Sequence, residues 1–209
     1  MQDIIVGRNA VREALHSSRP LNKLWVQTGL HGGSLGELLA LAQERKIPVE
    51  MVSKEVLDHM AEGLRHQGIA AQGAPVAFQD LDQVLTKVEQ RGETPLLLLL
   101  DELQDPQNVG ALIRTANAAG VHGGPQRRSC PLNAVVAKIS AGAVEHVPVI
   151  QIGNIAQTMK KLKKQGFWIA GADMDGENLY FDANLTGPMV LVVGAEGKGL
   201  GRLVKENCD

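Results

Sequence analysis

Three observations predict an α/β fold. Helix-period and strand-like segments alternate along most of the 209 residues. A run of five leucines, Leu96 to Leu100, ends in Asp101 and has the composition of a strand buried on both faces of a parallel sheet. Near the C-terminus a second apolar run breaks into a glycine-rich loop, LVVGAEGKGLGRL, residues 191 to 203. Alternation of this kind implies a mostly parallel sheet covered on both sides.

In the first half, GRNAVREALHSS places Val11, Ala14 and Leu15 on one helical face, and LNKLWVQT reads as a strand. SLGELLALAQER reads as a helix opened by Ser34, IPVEMV as a second strand, SKEVLDHMAE as a helix and HQGIAAQ as a final short strand. Together they form a small α/β unit over residues 1–75. A seam follows over residues 76–94, with a helix around DLDQVLTKVEQR and a turn at RGETP. No low-complexity linker interrupts it.

The second half, residues 95–209, opens on the leucine strand. In DPQNVGALIRTANAAGVHG, Pro106 and Asn108 mark a turn and a helix start. Ala111, Leu112, Thr115, Ala116 and Ala119 give that helix a small-residue face suited to close packing. Asp101, Asp105, Asn108 and Arg114 thus gather at the carboxyl end of a strand, where open α/β sheets place ligands. The same residues also read as a helix cap and a surface ion pair. Next come NAVVAKISAGAVEHVPVIQIGN and a helix with Ile155, Met159 and Leu162 on its apolar face. Its lysines, Lys160, Lys161, Lys163 and Lys164, form a solvated face. The strand FWIAGADM, a polar excursion DGENLYFDANLTGP and the strand MVLVVGAEG complete the order.

The glycine loop fails two phosphate-binding patterns. In a Walker A loop the lysine is followed by Ser or Thr, but Lys198 is followed by Gly199. A dinucleotide fingerprint counted from Gly197 and Gly199 needs a third glycine where Arg202 stands.

Composition removes other classes. A net charge of −2 argues against a general polyanion binder, although Arg127 and Arg128 read as displayed on a loop. No stretch approaches the roughly 18 apolar residues of a membrane span, the N-terminus has no signal-peptide core, and a cytoplasmic protein is expected. Cys130 and Cys208 lie far apart without metal spacing and read as idle thiols. His16, His31, His59 and His66 are scattered too, so no metal site is expected.

NVGALIR, with Asn108, Gly110 and Arg114, then SAGAVEHVP and LVVGAEGKGL resemble the signature motifs of the SPOUT-class RNA 2′-O-ribose methyltransferases. IVGRNAVREAL and HQGIAA are similar to the bacterial type that methylates a guanosine ribose of large-subunit ribosomal RNA. The resemblance implies an RNA-binding N-terminal domain, a C-terminal domain with a trefoil knot, S-adenosylmethionine as cofactor and a homodimer. It also implies site residues: Arg114 to stabilise the developing alkoxide, Asn108 to shape the site and Glu196 beside the cofactor. Gly194, Ala195, Glu196, Gly197 and Gly171 would hold the cofactor. A transfer-RNA enzyme of the same class and a non-catalytic RNA-binding module remain alternatives. Two departures stand out. The family's third motif, which completes the knot, does not occur in these residues. VHGGPQRRSCPLN stands where the family has a hydrophobic strand, so the expectation is that this strand is lost or that residues between about His122 and Arg128 are omitted.

Overall fold

The computed structural model describes residues 3–30, 32–127, 129–176 and 179–209. His31 and Arg128 lie outside them. Along the chain run β1 (Asp3–Val6), α1 (Arg8–His16), β2 (Leu21–Gln27), α2 (Ser34–Glu44), β3 (Val49–Val52), α3 (Lys54–Ala61) and β4 (Ile69–Gly73). There follow α4 (Leu81–Gln90), β5 (Leu96–Asp101), α5 (Pro106–Ala118), β6 (Gly124–Arg127), α6 (Ala134–Ile139) and a 3-10 turn (Ala143–Glu145). β7 (Val149–Gln151), α7 (Ile155–Lys164), β8 (Trp168–Ala172), β9 (Met189–Val193) and α8 (Arg202–Lys205) complete the order.

These elements divide into two compact units, and the division is not a single cut. The first unit holds the residues through Val76 together with Pro106–Arg114 and Pro131–His146. The second holds Ala77–Asp105, Thr115–Cys130 and Val147–Asp209.

The first unit is built on a four-stranded sheet of order β1-β4-β2-β3, in which only β2 and β3 run parallel. The face of α1 expected to be apolar is buried, with Ala10 added to Val11, Ala14 and Leu15. Leu35 and Leu38 of α2 join Ile5, Leu24, Val26 and Ile69 in the same core. Ser34 does not cap α2. The cap position is Gly33, with no side-chain bond, and the Ser34 hydroxyl accepts a hydrogen bond from Arg8 Nη1 at 3.1 Å. An ion triad is sealed into this unit. Arg19 donates to Glu145 Oε1 at 2.6 Å, to Asp3 Oδ2 at 3.0 Å and to the carbonyl of Ala74 at 2.6 Å. The Arg19 and Glu145 side chains are only 6% and 4% exposed. His146, the next residue of the SAGAVEHVP motif, meets Glu13 at 2.7 Å.

The second unit carries a five-stranded sheet of order β7-β6-β5-β9-β8, parallel throughout. β5 lies at its centre with Leu97 to Asp101 all buried, as a two-faced strand requires. Helix α7 buries the three residues expected of it, Ile155, Met159 and Leu162, against Leu97, Leu99, Ile169, Val190 and Val192. Its lysines are not simply solvated: Lys161 bonds Asp82 at 2.6 Å and Lys163 bonds Asp209 at 2.5 Å.

The expectation of a lost strand at VHGGPQRRSCPLN is overturned. β6 forms there and pairs on both sides, Leu100 with Gln126 and Asp101 with Arg127, Gly124 with Val149 and Gln126 with Gln151. The bridge of Leu97 to Gly123 keeps the same register, leaving no slip in the ladder. Arg127 therefore closes a strand instead of standing on a loop. The cause is the backbone of its neighbours: Leu98 N–H needs the Gly123 carbonyl at 3.0 Å and Ile152 N–H the Gln126 carbonyl at 3.1 Å. An inner position of a parallel sheet imposes extended backbone even on a Gly/Pro-containing stretch, since buried peptide groups left unpaired cost about 1–3 kcal/mol each.

Candidate cofactor site

The carboxyl ends of β8 and β9 frame a cavity of about 510 Å³. Its walls include Asp173, Asp175, Gly194, Ala195, Gly197 and Lys205. A second recess of about 390 Å³ shares Ala195 and Lys198 with it and reaches Asp101 and Glu102. Both volumes fall in the usual range for small-molecule sites, and the position is where parallel sheets bind ligands.

The loop after β9 is folded tightly onto itself. Gly199 N–H donates to the Ala195 carbonyl at 2.8 Å, closing a short antiparallel bridge. Gly194 lies flat against the returning backbone, so a Cβ there would collide with the carbonyl group of Gly199 and the amide of Leu200. Gly197 and Gly199 both have positive φ, 77° and 65°, which suits residues lacking a Cβ. The return of the loop is pinned by Asp101, which is buried at the end of β5 and accepts a hydrogen bond from Gly201 N–H at 2.9 Å. Gly194→Ala is accordingly expected to lower stability by about 1–3 kcal/mol, the usual range for overpacking a tight site. Thermal melts beside the wild type check this.

Asp173 is the best-held charge at the cavity. Asp175 N–H and Lys205 Nζ both donate to it, at 3.0 and 3.1 Å. The backbone bond from Asp175, then the one from Lys205, hold its carboxyl below the usual carboxylate range. The same pairing with Asp173 and Asp175 raises the ammonium of Lys205. The wall therefore presents a fixed carboxylate at neutral pH, a partner for hydroxyl or ammonium groups of a ligand.

Among the site residues expected from sequence, Gly194, Ala195 and Gly197 line this cavity together. Glu196 is exposed on the same loop. Gly171 lies in β8 one residue before the cavity wall, and a Cβ on it would reach Cys208 Sγ at 2.7 Å and Leu200 Cδ1 at 2.8 Å. Asn108 stands half-buried in the first turn of α5 and Arg114 is exposed further along it; both belong to the stretch Pro106–Arg114 of the first unit. Asp173 and Lys205 were not singled out from sequence, although Asp173 lies near the end of the expected strand FWIAGADM and the carboxyl-end rule points to it. Burial raises the thiols of Cys130 and Cys208, both free. Among the described residues no group of three or more His, Cys, Asp or Glu could hold a metal ion, and no helix is long and apolar enough to cross a membrane.

This chain matches the SpoU rRNA Methylase family model over residues 95–209, more than half its length. It belongs to the SpoU methylase family. Residues 4–79 match a second model, RNA 2′-O ribose methyltransferase substrate binding. A relative from Staphylococcus haemolyticus, whose name assigns it to the TrmH family of tRNA/rRNA methyltransferases, is 43% identical over 212 residues, covering 100% of this chain and 85% of the relative. A Bacillus subtilis relative, named for the same family, is 42% identical over 99% of this chain and 84% of its own. Among solved structures, the SpoU methyltransferase AviRb from Streptomyces viridochromogenes in complex with AdoMet has the same fold, with a TM-score of 0.80 at 20% identity over 100% of this chain and 78% of AviRb. An AdoMet-bound rRNA methyltransferase from Sinorhizobium meliloti gives a TM-score of 0.76 at 20% identity over 99% of this chain and 76% of its own.

Proposed function

We propose that this SpoU-family chain methylates a ribose 2′-hydroxyl of RNA, a guanosine of large-subunit ribosomal RNA, using S-adenosylmethionine. The observation that carries the reading is the cavity walled by the glycine loop and Asp173, in the residues matched by the methylase model. The residues fit the cofactor. Gly194 lets the loop fold flat against Gly199 and Leu200, a Cβ on Gly197 would meet open space, and the Asp173 carboxylate on the cavity wall suits a molecule that carries hydroxyl and ammonium groups.

When bound, the cofactor supplies a methyl group on a sulfonium, so the protein's task is alignment and charge stabilisation. Gly194, Ala195, Gly197 and Gly171 would hold the adenosine and methionine portions, and the Asp173 carboxylate would orient them by a charge-assisted hydrogen bond. Glu196 helps orient the cofactor from the loop. Arg114 supplies a permanent cation near the attacking 2′-oxygen, stabilising the alkoxide as it develops and anchoring the adjacent phosphate. Asn108, in the first turn of α5, is the residue that the family resemblance implies shapes the site. Residues 1–75 select the RNA, residues 76–94 join, and residues 95–209 carry the transfer, a division supported by where the two family models match. The working form is a homodimer with a knotted methyltransferase domain, as the family resemblance implies, and it acts in the cytoplasm.

Calorimetric titration with S-adenosylmethionine is expected to give a one-site isotherm, lost in Gly194→Ala, and methyl incorporation is expected in ribosomal but not in transfer RNA. Incorporation into transfer RNA alone would replace the substrate, and absence of cofactor binding would leave a non-catalytic RNA-binding module.

A further inference from the structure

Gln67 has a left-handed backbone, φ 58°, without being a glycine. Such a conformation persists where the surroundings hold it. Here they are cationic. The Arg8 backbone N–H donates to Gln67 Oε1 at 3.0 Å and Lys138 Nζ to the same oxygen at 3.1 Å, while Arg8 Nε donates to the Gln67 carbonyl at 3.1 Å. Arg65, two residues before, acts on Lys138 as well: burial first, then the Arg65 charge, lowers the ammonium's pKa. The Arg8 guanidinium and the Lys138 ammonium therefore meet at Gln67, one on its carbonyl and one on its side-chain amide, with the Arg65 charge close enough to act on Lys138. Among the described residues none of the three forms an ion pair with an acid. All three belong to the first unit.

The absence of a neutralising acid is unusual in a chain with 23 acids to 21 Lys and Arg. Like charges held together are destabilising unless an anion joins them. We propose that Arg8, Arg65 and Lys138 form a subsite for a backbone phosphate of the substrate RNA. Arg65 and Gln67 are exposed and Arg8 and Lys138 half-buried, so the cations are spread over open surface, as binding to a polymer backbone needs. The positive end of α1 begins at the same place, at Arg8, with no side-chain cap. Arg8 and Arg65 fall within the residues matched by the substrate-binding model, and Lys138 within those matched by the methylase model. RNA reading by the N-terminal residues thus depends on a lysine from the other half of the chain. The inference rests on RNA being the substrate.

The test is equilibrium binding of a labelled single-stranded RNA over a series of KCl concentrations, for the wild type, Arg65→Ala, the Arg65→Ala/Lys138→Ala double variant and Lys138→Arg. Removing one cation from the phosphate is expected to flatten the slope of log K against log [KCl] by about 0.7, so the double variant flattens it by about 1.4. Lys138→Arg keeps the wild-type slope, and S-adenosylmethionine affinity is unchanged in all of them. Should the lysine variants not fold, Arg65→Ala, an exposed side chain, still gives the single-cation shift. Wild-type slopes in Arg65→Ala and the double variant would overturn the subsite while leaving methylation of RNA intact, and saturable binding of inorganic phosphate with no change in RNA binding would mark a small-anion site instead. A wild-type protein that binds no RNA would sink the substrate reading itself.

Discussion

Arg114→Ala is expected to slow methyl transfer by about 100- to 1000-fold, the usual cost of removing one preorganised charge-stabilising donor. Cofactor affinity should stay close to the wild-type value. The substitution isolates charge from folding. Arg114 is exposed on α5, whose inward positions are Val109, Ile113 and Ala116, and alanine is the best helix former. In the proposed transfer the Arg114 charge would offset negative charge developing on the 2′-oxygen. Single-turnover transfer measured beside calorimetric titration separates the two quantities. A wild-type rate would remove Arg114 from the site, and an equal loss in rate and cofactor affinity would make it a binding residue.

The largest expected loss of stability comes from Glu145→Ala, about 3–5 kcal/mol, because it breaks a buried ion pair and strands the remaining charge. Arg19 keeps Asp3 and the Ala74 carbonyl, but Asp3 is 25% exposed and holds it from the wetter side. For a chain of this size the loss corresponds to a fall in melting temperature of roughly 10 °C. Replacing the pair together, Arg19→Met with Glu145→Leu, should recover most of it, since well-packed apolar residues often equal a buried pair. If Glu145→Ala melts with the wild type, the triad is not a stabilising element.

Periodicity made the regular parts readable. Ile155, Met159 and Leu162 are one helical stripe, and five leucines in a row admit few homes other than a central strand. β6 was not readable because nothing in Gly124 to Arg127 prefers extended structure; the neighbouring strands impose it. The candidate site divides in the same way. The glycine loop announces itself in sequence, since close backbone approach leaves only glycine. Asp101 was placed at a strand end, but its bond to Gly201 spans 100 residues and has no local signature. Glu145 and His146 sit in a motif noticed for its family resemblance, and their partners, Arg19 and Glu13, lie more than 120 residues earlier. Lys138 is likewise tied to Gln67 across 71 residues.

The sealed triad also sets a timetable for synthesis. Arg19 leaves the ribosome 126 residues ahead of Glu145, an interval of roughly 6 to 25 s at the usual pace of translation. Throughout it the nascent N-terminal sheet holds an arginine whose buried counter-ion has not yet been made, and the entropic cost of closing so long a loop must still be met. The buried ion pair of the first unit can therefore close only after the ribosome has passed the leucine strand of the second.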